Sequence, residues 1–205
     1  MKTWNIGNTT VRNPERLRDA LILFNNKMAD RPFRKEEQTE FQNHMIDAKL
    51  VDSDRRTGDD GARKFASAFK QLGFVSDWSR GKPWEITEAG KQLINNPNIE
   101  TNIFLKQLLK YQIPSPLENQ TGFRLRPFRV FLKFLHRAHL DGMVGLTKFE
   151  IGLFVITTLS EEAKEIEAAF SKIKAFRSRH NALTGNVQKT KFAMENLRST
   201  AQKLE

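Results

Sequence analysis

The stretch that decides the fold is residues 59–96, DDGARKFASAFKQLGFVSDWSRGKPWEITEAGKQLINN. Within it, Phe65, Phe69 and Leu72 recur at the spacing of one helical face, which predicts a helix over Ala62–Leu72. Gly73 follows directly, and glycine is the residue that most often terminates a helix. The polar run before this helix, from Asp52 to Gly61, is predicted to be a loop.

A β-hairpin is predicted immediately after this helix. Phe74–Asp77 and Trp84–Thr87 are short and rich in aromatic and β-branched residues, and a polar turn with two cations separates them. Thr87 is a suitable cap for a further helix that reaches Ile94. The order helix, hairpin, helix is typical of a winged helix-turn-helix, so the sequence predicts a mainly α fold with a small β-hairpin wing.

The remainder of the chain is predicted to be helical and to form a second unit of the same kind. We expect a first winged-helix-like unit over residues 1–112, a proline-containing connector over 113–126 and a second helical unit over 127–205. Asn13, Thr147 and Ser160 are the predicted caps of three helices. The predicted helices outside residues 59–96 begin near Pro14, Lys35, Thr101, Pro127, Thr147, Ser160 and Val187.

Apolar spacing predicts which faces of these helices are buried. The inner face of the helix over Thr101–Tyr111 is predicted to carry Phe104, Leu105, Leu108 and Leu109. The inner face of the helix over Pro127–Leu140 is predicted to carry Phe128, Phe131, Leu132 and Leu135. The last helix shows a near-heptad seam that either packs back on the protein or awaits a partner, formed by Val187, Met194, Leu197, Ala201 and Leu204.

Composition indicates an acidic partner and a reducing compartment. The net charge is +10, and residues 101–140 alone hold seven Lys or Arg against one acid. Such a concentrated excess indicates a basic patch and not a diffuse background, and a basic patch favours binding to nucleic acid. Cysteine is absent, which removes disulfides and thiolate metal sites. The sequence has neither a signal peptide nor an apolar run long enough to cross a membrane, so we expect a cytoplasmic protein.

The candidate DNA-binding residues fall into three groups. The predicted helix over Ala62–Leu72 would present four polar side chains to base edges in the major groove, namely Arg63, Ser67, Lys70 and Gln71. Arg80 and Lys82 lie in the hairpin turn, where a wing meets phosphate. Arg124, Arg126 and Arg129 alternate with apolar residues and suit contact with the DNA backbone.

Catalytic alternatives have weaker support in the sequence. His136 and His139 are three residues apart on a helix, but no acidic residue follows at a spacing that suits a metal site. Asp141 followed by Glu162-Ala163-Lys164 imitates a nuclease motif, although Glu162 is expected in the first turn of a charged helix. No phosphate-binding glycine loop is present. We therefore predict no catalytic and no metal-binding residue.

The chain resembles the N-terminal recognition region of the AlwI-type restriction endonucleases, which include type IIS cutters and strand-specific nicking enzymes. The similarity runs from about residue 10 to residue 180. It is carried by Val11–Arg16, by Arg63, Lys70 and Leu72–Val75, by Ile86–Lys91, by Phe104–Leu108 with Tyr111–Ser115, by Gly145–Lys148 with Phe154, and more loosely by Ile166–Arg179.

This resemblance implies a bilobed reader of double-stranded DNA that recognises an asymmetric site. It also implies Mg²⁺-dependent cleavage by a separate C-terminal nuclease domain, which nothing in this sequence matches. We therefore expect this chain, a fragment or a truncated product, to bind DNA without cutting it, and cleavage to need that nuclease domain or a separate nuclease subunit. The alternative is a stand-alone winged-helix transcriptional regulator that dimerises through its C-terminal helices.

Overall fold

A computed structural model describes residues 2–6, 13–52, 58–76, 82–96, 100–115 and 120–202. The chain divides into two compact units. We call Gly7–Lys110 the N-terminal unit, and Tyr111–Glu205 together with Met1–Ile6 the C-terminal unit. Arg12, Arg80 and Leu204, which were named from the sequence, lie outside the described residues.

The N-terminal unit is a helical bundle with one small hairpin. Asn13 caps the first helix as predicted, because its Oδ1 accepts a hydrogen bond from the Arg16 amide at 3.2 Å. In chain order, the described elements are α1 (Pro14–Lys27), α2 (Lys35–Asp47), α3 (Asp60–Gln71), β1 (Val75–Ser76), β2 (Glu85–Ile86), α4 (Glu88–Asn95) and α5 (Glu100–Lys110).

The core of this unit is built around Phe24 of α1. Its ring meets those of Phe33, Phe41 and Phe69 at centroid distances of 5.3, 5.4 and 5.8 Å. Edge-on contacts between aromatic rings of this kind stabilise a core beyond simple area burial. Phe65 and Phe69 of α3 are buried, which confirms the predicted inner face of that helix.

Helix α3 begins earlier than predicted, so Asp60 and Gly61 are helical and not part of the loop. The reason is a buried contact from α2: Gln42 is fully buried, and its Oε1 accepts the Ala62 amide at 2.8 Å. A side chain at Gly61 would come within 2.7 Å of the same oxygen. The glycine therefore allows α2 to satisfy an otherwise unpaired amide at the start of α3.

The predicted hairpin is confirmed. Val75 pairs with Ile86 and Ser76 with Glu85 in an antiparallel register. Thr87 then caps α4, since its hydroxyl accepts the Gly90 amide at 3.1 Å and donates to the Gly73 carbonyl at 2.6 Å. The hairpin and α4 are thus tied to the turn that ends α3.

Helix α5 exposes one residue that the sequence placed inside. Leu105 is 47% exposed, whereas its neighbours Ile103 and Phe104 are buried. The residue on the inner face is therefore Ile103, and the prediction for Leu105 was wrong. Both leucine and isoleucine suit an amphipathic helix, so periodicity alone left the exact rotation of the face open.

The C-terminal unit includes most of the segment predicted as a connector. The main chains of Ile113 and Leu125 form an antiparallel bridge, and both side chains are buried. Residues 2–6 join the same unit, where the Trp4 amide donates to the Ile156 carbonyl at 2.9 Å. The helical elements of this unit are α6 (Pro127–Leu140), α7 (Lys148–Glu150), a π-helical turn (Ile151–Val155), α8 (Ala163–Asn181) and α9 (Asn186–Gln202).

The bounds of α6 agree with the prediction, but its buried face does not. Its buried residues are Pro127, Val130, Phe134 and Ala138, and Leu132 is 49% exposed. The predicted inner set, from Phe128 to Leu135, covers too wide an arc, because apolar residues occur on more than one side of this helix. Only part of that set can face the core, and the structure turns Leu132 outward.

A buried ion pair fixes the short helix α7 to α8. Both carboxylate oxygens of Glu150 accept hydrogen bonds from Arg177 at 2.7 Å, and Glu150 is only 2% exposed. Thr147 and Glu150 also cap each other, which confirms the cap predicted at Thr147. Arg177 donates further to the Gly145 carbonyl at 2.8 Å. This network holds the loop before α7 against α8.

The last two helices differ from prediction in detail. Ser160 does not cap α8, because that helix begins at Ala163 with Glu162 in the cap position. The predicted seam on α9 is only partly buried: Leu197 packs with Leu153 and Phe176, whereas Val187 is 82% exposed. Met194 is also exposed, whereas Ala193 is fully buried. The seam thus packs back on its own unit at Leu197 but not over its whole length.

The predicted fold class is confirmed at the coarse level. The described residues are mainly helical and contain one two-stranded antiparallel sheet. Within these residues, no helix is both long enough and apolar enough to span a membrane.

Candidate nucleic-acid interface

The outward face of α3 carries the four predicted base-reading side chains, and three of them, Arg63, Lys70 and Gln71, already have intramolecular interactions. Arg63 is 59% exposed on its side chain and pairs through Nε with Asp59 at 3.0 Å. Lys70 lies with its Nζ 5.1 Å from the centroid of the Trp84 ring. Ser67 and Gln71 are half-buried. Binding at this face would require Arg63 to exchange an aspartate for a base or a phosphate.

The hairpin contributes one described cation. Lys82 is exposed just before β2, where it would be available to an approaching phosphate. Its predicted companion, Arg80, lies outside the described residues. In the described part of the wing, Lys82 is thus a cation that lies three residues before β2.

A denser group of cations lies at the start of α6. Arg126 donates to Glu161 Oε1 through Nε at 3.0 Å and through Nη2 at 2.5 Å. Arg129 approaches the other carboxylate oxygen, with Nε 3.7 Å from Oε2. Lys133 donates to the Glu161 backbone carbonyl. We call Arg124, Arg126, Arg129 and Lys133 the α6 basic cluster.

A strand-like contact brings these residues together across the chain. The Arg124 amide donates to the Leu159 carbonyl at 2.8 Å, and Arg124 forms a parallel bridge with Ser160. Glu161 follows immediately and so lies beside the first turn of α6. The side chain of Arg124 is exposed and has no hydrogen bond or ion pair among the residues that the structure describes.

The α6 basic cluster retains a positive excess, because it contains four cations and the Glu161 carboxylate pairs with two of them, Arg126 and Arg129. Glu161 has a side-chain exposure of 20%, whereas Arg126 and Arg129 are exposed by 39% and 40%. A guanidinium has five N–H donors in a planar fork, and Glu161 uses only some of them. The remaining donors suit a phosphate, which arginine binds through two parallel hydrogen bonds. Glu161 orients the arginines and leaves them accessible.

Sequence reasoning named Arg124, Arg126 and Arg129 but missed Glu161 and Lys133. Lys133 is one turn beyond Arg129 on the same helix, so helical spacing could have found it. Glu161 is 35 residues from Arg126 along the chain. Nothing in the local sequence signals that contact.

Of the residues in the nuclease-like motif, Asp141 is engaged in ion pairs. Lys174, at 2.8 Å, and Arg137 both pair with Asp141, and these hydrogen bonds hold the pKa of Asp141 below its ordinary value. Glu162 and Lys164 are exposed at the start of α8. Across the described ranges, no group of three or more His, Asp or Glu side chains could hold a metal ion.

Comparison with known protein families identifies a matching family model. The family model described as AlwI restriction endonuclease matches residues 70–205. The matched segment includes more than half of the chain and contains the whole α6 basic cluster, whereas all of α3 before Lys70 precedes it. No curated protein matches this sequence.

Proposed function

The chain belongs to the AlwI restriction endonuclease family, and from this premise we propose that it binds a specific sequence of double-stranded DNA. Restriction endonucleases act on DNA, so the family supplies the partner, and the net charge of +10 suits a polyanion. Within the family we assign this chain to the recognition region of a type IIS or nicking enzyme. The target sequence would be asymmetric and bound by one copy of the chain.

The observation that carries this proposal is the α6 basic cluster. Arg126 and Arg129 converge on Glu161 and keep about two fifths of their side-chain surface exposed. Such a pre-oriented pair loses less side-chain freedom when it meets a phosphate than two free arginines would. We assign Arg124, Arg126 and Arg129 to contacts with the DNA backbone.

The N-terminal unit would supply base recognition through a winged-helix-like arrangement. In that arrangement α3 is the recognition helix, the β1–β2 hairpin is the wing and Thr87 holds both against α4. The groove-facing side chains would be those of α3 that point away from its core residues, namely Arg63, Ser67, Lys70 and Gln71. Lys82, together with Arg80, would contact phosphate beside the helix.

A second part of the proposal concerns cleavage. In the family, Mg²⁺-dependent cutting is expected from a nuclease domain with its own acidic centre, and we propose that the residues of this chain do not perform it. The engagement of Asp141 with Lys174 and Arg137 supports this assignment, because both cations would have to leave before Asp141 could bind Mg²⁺.

Selection from a randomised duplex library tests sequence-specific binding. We expect the protein to enrich one asymmetric sequence, which anisotropy titrations then compare with a scrambled duplex. Specific protein–DNA complexes exceed non-specific ones by about 10³-fold or more, so the two affinities should differ clearly. Equal affinity for both duplexes would refute the proposal.

The backbone contacts are tested by their salt dependence. Arg126→Ala and Arg129→Ala should each weaken binding to all sequences alike and lower the slope of log K against log salt by about one. Lys172→Ala is the matched control, because Lys172 is an exposed cation on α8 outside the cluster. If the control lowers the slope as much as Arg126→Ala, the cluster has no special role.

The transcriptional-regulator alternative predicts a different stoichiometry. Such a protein should bind a palindrome as a dimer, with two half-sites about one helical turn apart. The packing of Leu197 against its own unit leaves a shorter apolar seam for dimerisation. Mass measurement of the selected complex, with one or two chains per duplex, decides between the two functions.

A further inference from the structure

Helix α6 presents an outward face that neither the core nor the α6 basic cluster explains. Its buried residues Val130, Phe134 and Ala138 follow one line along the helix. The opposite line, half a turn away, carries Leu132, His136 and then His139 with Leu140. Leu132 and Leu140 are 49% and 64% exposed, and both histidines are exposed.

The side chains on this face are uncommitted. Neither His136 nor His139 has a hydrogen bond, ion pair or ring contact in the part of the chain that the structure describes. Along its 14 residues α6 contains no acidic residue, and its ionisable side chains are all Arg, Lys or His. A partner that binds this face would therefore contact exposed leucines that are surrounded by cationic or neutral polar side chains.

We propose that the outward face of α6 enters the major groove and reads base edges through Leu132 and His136. This inference rests on the proposed DNA binding and adds a second reading helix, located in the C-terminal unit. The α6 basic cluster lies along the first turns of the same helix, so its cations would bind the phosphates on either side of the groove.

Charge and shape favour DNA over a protein as the occupant of this face. A helix of 14 residues is about 21 Å long, and the major groove admits one α-helix across its width. Protein interfaces have no general preference for a helix that lacks acids, whereas the negative charge of DNA favours one. The exposed leucine has a natural counterpart in the groove, because thymine presents its C5-methyl group there.

The chemistry of the two readers can be assigned separately. The methyl groups of Leu132 would pack on the C5-methyl of a thymine. An imidazole N–H of His136 would donate to N7 of a purine, an acceptor that adenine and guanine share in the major groove. The two residues are four apart, or about 6 Å along the helix, which places their contacts about two base-pair steps apart.

Base analogues in the selected duplex test these contacts without disturbing the protein. Replacing the contacted thymine by uracil removes only the methyl group, and it should weaken wild-type binding about fourfold, as expected for one buried methyl. The Leu132→Ala variant should bind the thymine and uracil duplexes equally. Val187→Ala is the control, because Val187 is exposed on α9 and its variant should remain as sensitive to uracil as the wild type.

The purine contact is tested in the same way with 7-deazapurines. Removing N7 should weaken wild-type binding between about fivefold and about a hundredfold, the range for loss of a specific base contact. His136→Ala should be insensitive to the analogue, and His136→Gln should regain sensitivity, because the glutamine amide is a donor. Both residues are exposed, so these substitutions remove no core contact.

The outcomes separate this inference from the function on which it rests. If the library yields no enriched sequence, the proposed function fails. If a sequence is enriched but no thymine or purine analogue distinguishes the variants from the wild type, the reading role of α6 is overturned alone. Self-association that Leu132→Ala abolishes, with unchanged DNA binding, would assign this face to a second copy of the chain and also overturn the inference.

Discussion

Among the charged side chains of the C-terminal unit, Glu150 should be the one whose replacement destabilises that unit most. Its carboxylate is 2% exposed and receives two hydrogen bonds from Arg177 and one from the Thr147 amide. Glu150→Ala would leave Arg177 without its counterion, although the arginine side chain keeps 24% of its surface exposed. The same change would also leave the Thr147 amide without its acceptor.

The size of the effect follows from these contacts. Removing one member of a buried ion pair costs about 3–5 kcal/mol, because the remaining charge is buried without a partner. Water can reach part of Arg177, which argues for the lower end of that range, about 3 kcal/mol, and loss of the bond to Thr147 adds up to about 1 kcal/mol. We therefore expect Glu150→Ala to lower the free energy of unfolding by about 3–4 kcal/mol.

The pH dependence of this stabilisation has a defined sign. Burial would raise the pKa of Glu150, but hydrogen bonds from Arg177 and Thr147 outweigh it, and the net pKa is below the ordinary glutamate value of 4.5. A carboxyl group whose pKa is lower in the folded state stabilises the fold fully above its unfolded pKa. That contribution is lost as the pH falls through the folded pKa. The difference between wild type and Glu150→Ala should therefore shrink below about pH 4.5.

Amide hydrogen exchange in α8 is the appropriate assay, because it reports on the C-terminal unit alone. A loss of about 3–4 kcal/mol should accelerate exchange of the slowest α8 amides by about 10²–10³-fold, while amides of α1 keep their rates. Glu167→Gln is the control, since Glu167 is 54% exposed and pairs with Arg137 at the surface of α8. Equal acceleration in both variants would refute the claim that burial makes the Glu150 pair strong.

Three further predictions concern single contacts. Gly90→Ala should lower the free energy of unfolding of the N-terminal unit by about 1–3 kcal/mol, measured by urea denaturation, because the added Cβ would lie 2.3 Å from the Phe74 carbonyl oxygen. Gly58→Ala is its control, since nothing lies within 4 Å of that position. Thr87→Val should cost about 1–2 kcal/mol in the same assay through loss of the α4 cap. Finally, this chain with Mg²⁺ should leave supercoiled plasmid intact on agarose gels, and nicking that Asp141→Ala abolishes would contradict the proposed division of labour.

The parts of the fold that sequence predicted well depend on local rules. The hairpin, the cap at Thr87 and the end of α3 at Gly73 each follow from a few neighbouring residues, and Gly73 has the positive φ of 69° that favours glycine. The predicted start of α3 is too late because the side chain of Gln42, on α2, accepts a hydrogen bond from the Ala62 amide in the first turn of α3. The sequence around α3 does not indicate this partner, because Gln42 lies on another helix.

The inner face of α6 could not be derived from periodicity for a different reason. Apolar residues outnumber the positions that one core can bury, so several rotations of the helix satisfy the same pattern. The choice is made by the neighbours of α6 in the folded unit, above all by Phe170 and Ile173 of α8 in the shared core. The exposed Leu132 that results is the residue that the sequence placed inside, and it is the residue to which we assign a thymine contact.

The candidate site likewise combines features that the sequence predicted with features that only the structure shows. The local excess of arginine predicted the basic segment around residues 124–129. The structure adds Glu161, which pairs with Arg129 and Arg126 from 32 and 35 residues away along the chain and so brings the two guanidinium groups together. The arginine of α3 differs, because Arg63 pairs with Asp59 one turn before it and its side chain is 59% exposed. Exposed pairs of that kind contribute little and exchange readily for another anion.

These two kinds of ion pair imply different roles in binding. Glu161 accepts from Arg126 and lies near Arg129, so either arginine can turn to a phosphate while the carboxylate keeps a partner. We expect contact with the DNA backbone there to cost little reorganisation and to depend weakly on sequence. Arg63 pairs with a carboxylate of its own helix, and we expect guanine, which offers two acceptors, to replace that aspartate in the specific complex. We therefore expect the α6 basic cluster to supply most of the salt-dependent affinity, and α3 to supply selectivity that a salt titration barely detects.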